Sequence, residues 1–156
     1  MTVQPIPTGY TSLTPFFVCS PAAKAVTFYT EVFGAAVVVR NDLPDGTVAH
    51  CELQFPTGRM QLGDANPEHN LIAPDGGDVV SRSTVLYCDD VDTVYAAAVA
   101  AGAKGYGEPS TFVTGDRYAA ILDPFGHRWA IMTRVEDVSE EEAKRRVDEW
   151  LAEQSG

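Results

Sequence analysis

The chain has 156 residues, of which 45% are hydrophobic and 21% charged, and its formal net charge is −11. This length and composition suffice for one folded domain and exclude a disordered chain. An acidic chain without a basic cluster repels nucleic acid and anionic membranes, so we expect neither as a partner. No run is long enough to cross a bilayer, and the N-terminal MTVQPIPTGY lacks the pattern of a signal peptide. We therefore expect a cytoplasmic protein.

The cysteines, Cys19, Cys51 and Cys88, are odd in number and lack CxxC spacing. This argues against both a disulfide framework and a structural zinc site. We expect them to be small, buried, apolar residues.

The first predicted elements follow the order strand, helix, strand, strand, strand over residues 11–66. SLTPFFVC is typical of a strand, and Ser20 with Pro21 indicates the N-cap and first turn of a helix that ends at Gly34. The apolar stripe of this helix comprises Val26, Tyr29 and Phe33. AAVVVR, TVAHCELQF and GRMQLGD are β-rich runs separated by PDG and PTG turns. This βαβββ series is the first predicted module.

A second predicted module of the same kind covers residues 82–134. The polar, turn-rich residues 67–81 are predicted to link it to the first. STVLYC is typical of a strand, residues 90–101 have a helical stripe that Gly102 ends, and DRYAAILD and HRWAIMT are strands. The second module is therefore also βαβββ.

The two modules are predicted to be copies of one unit. An offset of 68 residues places Gly34 on Gly102 and Pro56 on Pro124. One such unit cannot close a sheet, but two can pair into a curved mixed sheet with the helices outside and a groove inside. We therefore predict an α+β fold in which residues 1–156 form a single domain around that groove.

Residues 138–154 are predicted to form a C-terminal amphipathic helix. Ser139 followed by Glu142 is a capping box. The favourable i, i+4 charge pairs are Glu141–Arg145 and Glu142–Arg146. Trp150 and Leu151 dock either on the chain itself or on a partner subunit, and the sequence leaves both options open.

Three motifs accompany the paired modules: FYTEVFGA at 28–35, DDVD at 89–92 and DPFGHRW at 123–129. Together they resemble the vicinal oxygen chelate superfamily, which includes glyoxalase I, extradiol dioxygenases, methylmalonyl-CoA epimerase and bleomycin-resistance proteins. With AHCEL at 49–53 and GDRY at 115–118, the chain is most similar to the PhnB-like branch. The resemblance implies the groove fold, a small-molecule ligand and a homodimer, swapped or unswapped.

In metal-dependent relatives, four side chains from equivalent strands hold a divalent ion. The resemblance places these positions at Thr14, Gln61, Ser83 and Ala130. Divalent metals in such sites need imidazole or carboxylate donors, which none of the four provides. We therefore expect no cofactor, and a divalent metal only at a different site.

Strand parity extends this set to a predicted groove lining, because side chains two residues apart share a face. The lining adds Phe16, Val85, Tyr87, Arg128 and Met132 to those four positions, and Tyr118 as a nearby aromatic residue. Trp129 and Ile131 then face the helices. The aromatic members, with Phe112 and Tyr106, stack on a planar ligand or belong to the core.

His50 and Glu52 are predicted to share one face of the strand TVAHCELQF. An imidazole and a carboxylate in one space suit a general acid–base pair or two ligands of a relocated metal. Alternatively, they are a charge pair on a solvated strand. His127 and Asp123 are predicted to be structural, and His69 lies in the predicted linker, from which it could reach the groove mouth. Arg117 and Arg128 either bind an anionic ligand or are solvated, and solvation is favoured for Arg117.

Three functions remain open from the sequence. The first is a small-molecule-binding protein of the glyoxalase and bleomycin-resistance type, without a metal. The second is a lyase or isomerase that acts through His50 and Glu52, metal-free or with a relocated divalent ion. The third is an interaction module whose working surface is the C-terminal helix.

Overall fold

The computed structural model describes residues 3–155. The chain divides into two compact units, Met1–Gly77 and Asp78–Gly156. Each unit contains one mixed sheet and a helix between its first two strands, and the second unit ends in a further helix. The predicted α+β fold with two βαβββ modules and a C-terminal helix is therefore confirmed.

The first unit is a four-stranded sheet with one long helix. Its elements are β1 (Phe16–Cys19), α1 (Ala22–Phe33), β2 (Ala36–Asp42), β3 (Val48–Gln54) and β4 (Arg59–Asp64). The strands lie in the order β1-β4-β3-β2, and β1 is parallel to β4 while the other pairs are antiparallel. Thr14 precedes β1 instead of lying in it, so its predicted place within the first strand is wrong.

The two ends of α1 are stabilised in different ways. Gly34 ends the helix in the left-handed conformation, with φ of 68°, which a residue without a Cβ adopts at little cost. The predicted Ser20 cap is wrong, because the N-cap position is Pro21 and no side chain of the N-cap accepts a hydrogen bond. Asp64 accepts the hydrogen bond of the Ala22 N–H at 2.9 Å instead. A residue far along the chain thus satisfies the first orphan donor of the helix.

One face of the first sheet is fully buried. Along β3 and β4, Cys51, Leu53 and Leu62 are completely inaccessible and Met60 nearly so. This alternation is the pattern expected for a sheet with a helix on one face. Cys51 and Cys19 are buried and form no disulfide, as predicted, whereas Cys88 also forms none but is only half-buried, so its predicted burial is wrong.

The second unit repeats the plan, but its edge strand β6 is much shorter than β2 of the first. Its elements are β5 (Ser83–Tyr87), α2 (Val91–Ala100), β6 (Lys104–Gly105), β7 (Ser110–Thr111), β8 (Asp116–Leu122), β9 (Arg128–Arg134) and α3 (Glu140–Gln154). The strands lie in the order β5-β9-β8-β6, and β7 also pairs with β8. Trp129 and Ile131 of β9 are buried. The turn-rich residues before this unit contain only one short 3-10 turn, Pro67–His69.

The units correspond strand by strand, with one extra residue in the last turn. Leu53 pairs with Met60 in the first unit, and Ile121 pairs with Trp129 in the second. The offset between the units is therefore 68 on the third strand and 69 on the fourth. The turn with the extra residue is held by buried Asp123, which accepts hydrogen bonds from the backbone N–H groups of Phe125 and His127.

Helix α3 is attached to its own unit. Ser139 accepts from the Glu142 N–H at 3.2 Å, which confirms Ser139 as the N-cap, while the Glu142 carboxylate of the predicted capping box binds Arg145 and Arg146. Arg146 pairs with Glu142, as predicted, whereas Arg145 pairs with Glu142 and Glu149 instead of Glu141. Hydrogen bonds from Arg145 and then Arg146 lower the pKa of Glu142 to about 2.

Contacts beyond the helix fix where α3 lies. Arg146 forms an ion pair with Glu136 at 2.8 Å, and its guanidinium also donates to the Val113 carbonyl. The Trp150 ring contacts Phe112 edge-on, with a centroid distance of 5.2 Å. The helix thus packs on the β7–β8 turn of its own chain. Among residues 3–155, no helix is long and apolar enough to cross a membrane.

Candidate functional site: the open sheet faces

Each sheet presents its second face away from its own helix. On β9, Trp129 and Ile131 are buried, whereas Arg128, Ala130 and Met132 between them are half-buried. The same alternation on β3 leaves His50 and Glu52 half-buried. These two open faces carry most of the predicted lining, and their chemistry differs between the units.

The open face of the first unit is polar. His50 Nε2 lies 3.3 Å from Glu52 Oε1, and Arg59 Nη1 donates to the other Glu52 oxygen at 3.2 Å. Arg59 Nε also donates to the Gln54 side chain at 2.8 Å. The predicted His50–Glu52 pair therefore exists, but Glu52 is shared with an arginine that the sequence reasoning did not include.

Tyr10, from the segment before β1, completes this cluster. Its hydroxyl hydrogen-bonds to Glu52, and this is the largest cause that holds the pKa of the Glu52 carboxyl below its usual value; His50 and Arg59 act in the same direction. Gln61 donates to the Tyr10 hydroxyl at 3.4 Å, and the Arg59 guanidinium lies 4.8 Å from the Tyr10 ring centroid. Glu52 is thus ionised at neutral pH and well supplied with donors.

The Phe16 ring stacks against His50, with a centroid distance of 6.2 Å. Phe16 and Glu52 both pair with Gln61 in the sheet register, so the three residues form one row across β1, β4 and β3. Phe16 and Gln61 therefore share the open face with His50 and Glu52. Thr14 lies outside this row, and its hydroxyl donates to the Thr11 carbonyl.

The open face of the second unit is apolar and aromatic. Val85 and Tyr87 are each 53% exposed, and Tyr118 is 38% exposed. The register forms three rows across the sheet: Leu122–Arg128–Ser83, Ala120–Ala130–Val85 and Tyr118–Met132–Tyr87. All the predicted lining residues of this unit lie in these rows.

Cations border this apolar face, and two of them already have a carboxylate partner. Lys104 lies in the row of Leu122 and Arg128, 5.6 Å from the Tyr106 ring centroid, and pairs with Asp78. Arg134 hydrogen-bonds to Tyr87 and pairs with Asp116. Arg128 is the third.

The Arg128 guanidinium lies 4.7 Å from the centroid of the Tyr106 ring. Tyr106 follows β6, and its backbone N–H donates to the Ala120 carbonyl. Stacking of a guanidinium on an aromatic ring is favourable and leaves the edge of the guanidinium able to bind an anion.

The four positions inferred for a metal carry no imidazole or carboxylate, and the wider surroundings add no cluster of them. Among the described residues, no group of three or more His, Cys, Asp and Glu side chains is arranged to hold a metal ion. His50 and Glu52 supply at most two ligands of suitable chemistry at the first open face.

The other singled-out residues lie elsewhere. His127 is buried and its Nδ1 lies 3.4 Å from Arg82 Nη2, while His69 is in the short 3-10 turn. Arg117 binds Asp92 of α2 through two hydrogen bonds. Phe112 contacts α3.

Sequence reasoning missed Tyr10 and Arg59. Arg59 precedes Gln61 by two residues, so strand parity was enough to place it on the open face. Tyr10 precedes the first strand by several residues, and no periodic pattern indicates where such a segment packs. Only the fold brings it to Glu52.

Comparison with known proteins assigns the family. The model of the Glyoxalase/Bleomycin resistance protein/Dioxygenase superfamily matches residues 14–131. An uncharacterized protein of Mycobacterium tuberculosis is 31% identical over 134 residues, which cover 84% of this chain and 79% of the relative. The chain belongs to this superfamily.

Solved structures agree on the fold. TioX from Micromonospora sp. ML1 has a TM-score of 0.62 at 22% identity, over 80% of this chain and 98% of that one. A glyoxalase/bleomycin resistance protein/dioxygenase from Nocardioides has a TM-score of 0.57 at 20% identity, and the match covers 89% of this chain and 90% of that one. A PhnB protein from Bacillus cereus, described as a putative 3-demethylubiquinone-9 3-methyltransferase, has a TM-score of 0.60 at 17% identity, over 79% and 99%.

Proposed function

We propose that this chain is a small-molecule-binding member of the superfamily, of the PhnB-like type, that binds its ligand on the open sheet faces. The observation that carries the proposal is the apolar face of the second unit, where Val85, Tyr87 and Tyr118 remain 53%, 53% and 38% exposed. Exposed aromatic side chains on a rigid sheet, with a few polar groups beside them, are typical of a ligand site.

We also propose that binding needs no metal at Thr14, Gln61, Ser83 and Ala130. Two hydroxyls, an amide and a methyl group supply neither the charge nor the imidazole nitrogens that divalent ions take in protein sites. The Gln61 amide is moreover engaged with the Tyr10 hydroxyl. Any divalent ion would bind at His50 and Glu52 instead.

The test is the melting temperature of chelator-treated protein, titrated separately with nickel, zinc, manganese, iron(II) and a panel of planar aromatic compounds. A ligand of the folded state at about a hundred times its dissociation constant adds roughly 2.7 kcal/mol. We expect a saturable rise with an aromatic compound, reduced by Tyr118→Ala, and none with the metals. A stoichiometric metal held through purification would contradict the metal-free proposal.

An enzymatic alternative rests on the 3.3 Å approach of His50 to Glu52. The lowered pKa of Glu52 makes this carboxylate a weak base, so it would orient the imidazole while His50 moves the proton. The reaction would be that of a lyase or isomerase. If His50→Ala and Glu52→Gln leave ligand binding and any turnover unchanged, this alternative is wrong.

We further propose a homodimer in a reducing, cytoplasmic compartment, with no nucleic-acid or membrane partner. None of the three cysteines is in a disulfide, which supports a reducing compartment. The net charge of −11 opposes binding to phosphate-rich surfaces. Sedimentation velocity at several protein concentrations tests the dimer, and a single monomeric boundary throughout would contradict it.

A further inference from the structure

Arg128 and Arg59 hold the same position in the two units. Arg59 begins β4 and pairs with Gln54 in the register, and Arg128 begins β9 and pairs with Leu122. Each guanidinium also lies over a tyrosine ring, at 4.8 Å from the Tyr10 centroid and 4.7 Å from that of Tyr106. The surroundings of Arg128 can therefore be compared directly with those of Arg59 at the equivalent position of the first unit.

The counterion differs between the two positions. Arg59 donates to Glu52 at 3.2 Å and to Gln54 at 2.8 Å. In the second unit, Leu122 occupies the register position of Gln54, and Ala120 occupies that of Glu52. The groups that satisfy the first arginine are thus replaced by hydrocarbon side chains around the second.

Arg128 is left without an anionic partner. Among residues 3–155, no carboxylate oxygen lies within 4.0 Å of its guanidinium nitrogens. Six other arginines of this acidic chain do have such a partner: Arg40, Arg59, Arg117, Arg134, Arg145 and Arg146. A half-buried guanidinium whose donors are only partly used is suited to an oxyanion from outside the chain.

The open face beside Arg128 consists of the three strand rows given above, and we call this strip the trough. Its middle row, Ala120–Ala130–Val85, has the smallest side chains; Ala120 is 7% exposed, and its carbonyl accepts the Tyr106 N–H. Tyr106 stands beside Arg128 at one end, and the row Tyr118–Met132–Tyr87 crosses the other end. Four residues of strand separate the two ends, which is roughly 13 Å and matches two or three fused or linked aromatic rings.

We propose that this trough binds a planar aromatic anion, with the rings against Tyr118 and Tyr87 and the carboxylate, sulfonate or phenolate group on Arg128. The inference rests on the proposed function and adds the charge and orientation of the ligand. The aromatic end supplies dispersion contacts, and the guanidinium supplies paired N–H donors. Neutral aromatic compounds use the same rings but lack the second contact.

The experiment compares two fluorescent probes of the same ring system, anilinonaphthalene sulfonate and its neutral parent phenylnaphthylamine. Dissociation constants are measured for the wild type, Arg128→Gln, Arg128→Lys and Arg117→Gln. We expect Arg128→Gln to weaken the sulfonate about tenfold, since a hydrogen-bonded charge pair is lost, and to leave the neutral probe within about twofold. Arg128→Lys keeps the charge but loses the planar donors, so its effect should be intermediate.

Arg117→Gln is the matched control, because it removes the same charge from the neighbouring strand β8 at a residue that binds Asp92 of α2. It should leave both probes unchanged. A nitrogen NMR spectrum of the arginine Nε–H groups adds a local readout, in which the Arg128 signal should shift with the sulfonate and not with the neutral probe.

Two outcomes would overturn this inference but leave the proposed function standing. One is an unchanged affinity of Arg128→Gln for the sulfonate, and the other is an equal loss of affinity for both probes in that variant. An equal loss in Arg117→Gln would show that only long-range charge matters, which also contradicts it. Failure of the wild type to bind either probe would contradict the proposed function itself, and the inference with it.

Discussion

At the scale of single residues, Glu52 is the most heavily engaged group of the polar open face. Tyr10, His50 and Arg59 all stabilise its ionised form. Such a carboxylate is a structural anchor or an orienting group, because each favourable contact reduces its tendency to take a proton. His50 is the more exposed member of this pair, with 31% of its side chain accessible against 15% for Glu52.

Tyr10→Phe is expected to raise the pKa of Glu52 towards its ordinary value of 4.5, because the hydrogen bond that lowers it most is lost. The depressed folded-state pKa stabilises the fold above the unfolded-state value, and this contribution is lost as the pH falls through the folded-state pKa. Wild type and variant should therefore differ in stability at neutral pH and converge in acid.

The measurement is the pH dependence of the Glu52 carboxyl carbon shift by NMR, together with urea unfolding at neutral and acidic pH. Tyr118→Phe removes a hydroxyl from the other unit and serves as the control. An unchanged Glu52 titration in Tyr10→Phe would show that the Tyr10 hydroxyl does not bond to this carboxylate.

At the scale of elements, the turn between β8 and β9 depends on one buried acid. Asp123 accepts the backbone N–H groups of Phe125 and His127 and the indole N–H of Trp129, each at 2.9 Å. These bonds fix the turn that begins β9, and with it the place of Arg128 on the open face. The equivalent PTG turn of the first unit is one residue shorter and has no such acid.

Asp123→Ala is expected to lower the free energy of unfolding by at least about 2 kcal/mol, because buried N–H donors lose their acceptor. Asp45→Ala is the matched control: Asp45 accepts one N–H, from Thr47, at an exposed hairpin, and its loss should cost below about 1 kcal/mol. Urea unfolding, with near-ultraviolet circular dichroism to follow Trp129, makes the comparison. Equal losses of unfolding free energy in the two variants would refute the special role of the buried Asp123.

Helix α3 is an element with weak anchoring. Trp150 contacts Phe112, but 36% of its surface remains exposed, and Leu151 is 51% exposed. We expect Trp150→Ala to cost about 1–2 kcal/mol and Leu151→Ala below about 0.5 kcal/mol, because the first loses an aromatic contact and the second little buried area. Chemical denaturation measures both. A larger loss of stability for Leu151→Ala would mean that a second molecule covers Leu151.

At the scale of the whole molecule, charge is distributed unevenly. Between Glu136 and Glu153 there are 8 acidic and 3 basic residues, a net charge of −5 out of −11. Most of these charges pair with one another along α3 and on its anchoring turn. The tail therefore acts as a solvated, self-paired surface, in agreement with attachment to its own chain.

Removal of residues 134–156 is expected to leave the oligomeric state unchanged, because the aromatic residue of α3 contacts Phe112 of the same chain. Sedimentation velocity on the full and the truncated chain is the measurement. A dimer that dissociates on truncation would instead assign α3 to the partner subunit and favour the interaction-module hypothesis.

Much of the fold was predictable from the sequence. The βαβββ order, the Gly34 stop of α1 and the Ser139 cap of α3 all follow from local periodicity, turn chemistry and capping. Parity also separated Trp129 and Ile131 from the open face, because alternation along a strand is a property of the backbone.

The tertiary structure decided the contacts between residues that are far apart in the sequence. Asp64 satisfies the first turn of α1, Tyr10 reaches Glu52, and Ala120 stands where the counterion of Arg128 would be. Local sequence patterns do not encode such pairings, because they depend on which strands become neighbours and in which register. The sequence by itself determined the repeated unit and the faces of its strands, whereas the register determined that Arg59 has a carboxylate beside it and that Arg128 has alanine and leucine side chains instead.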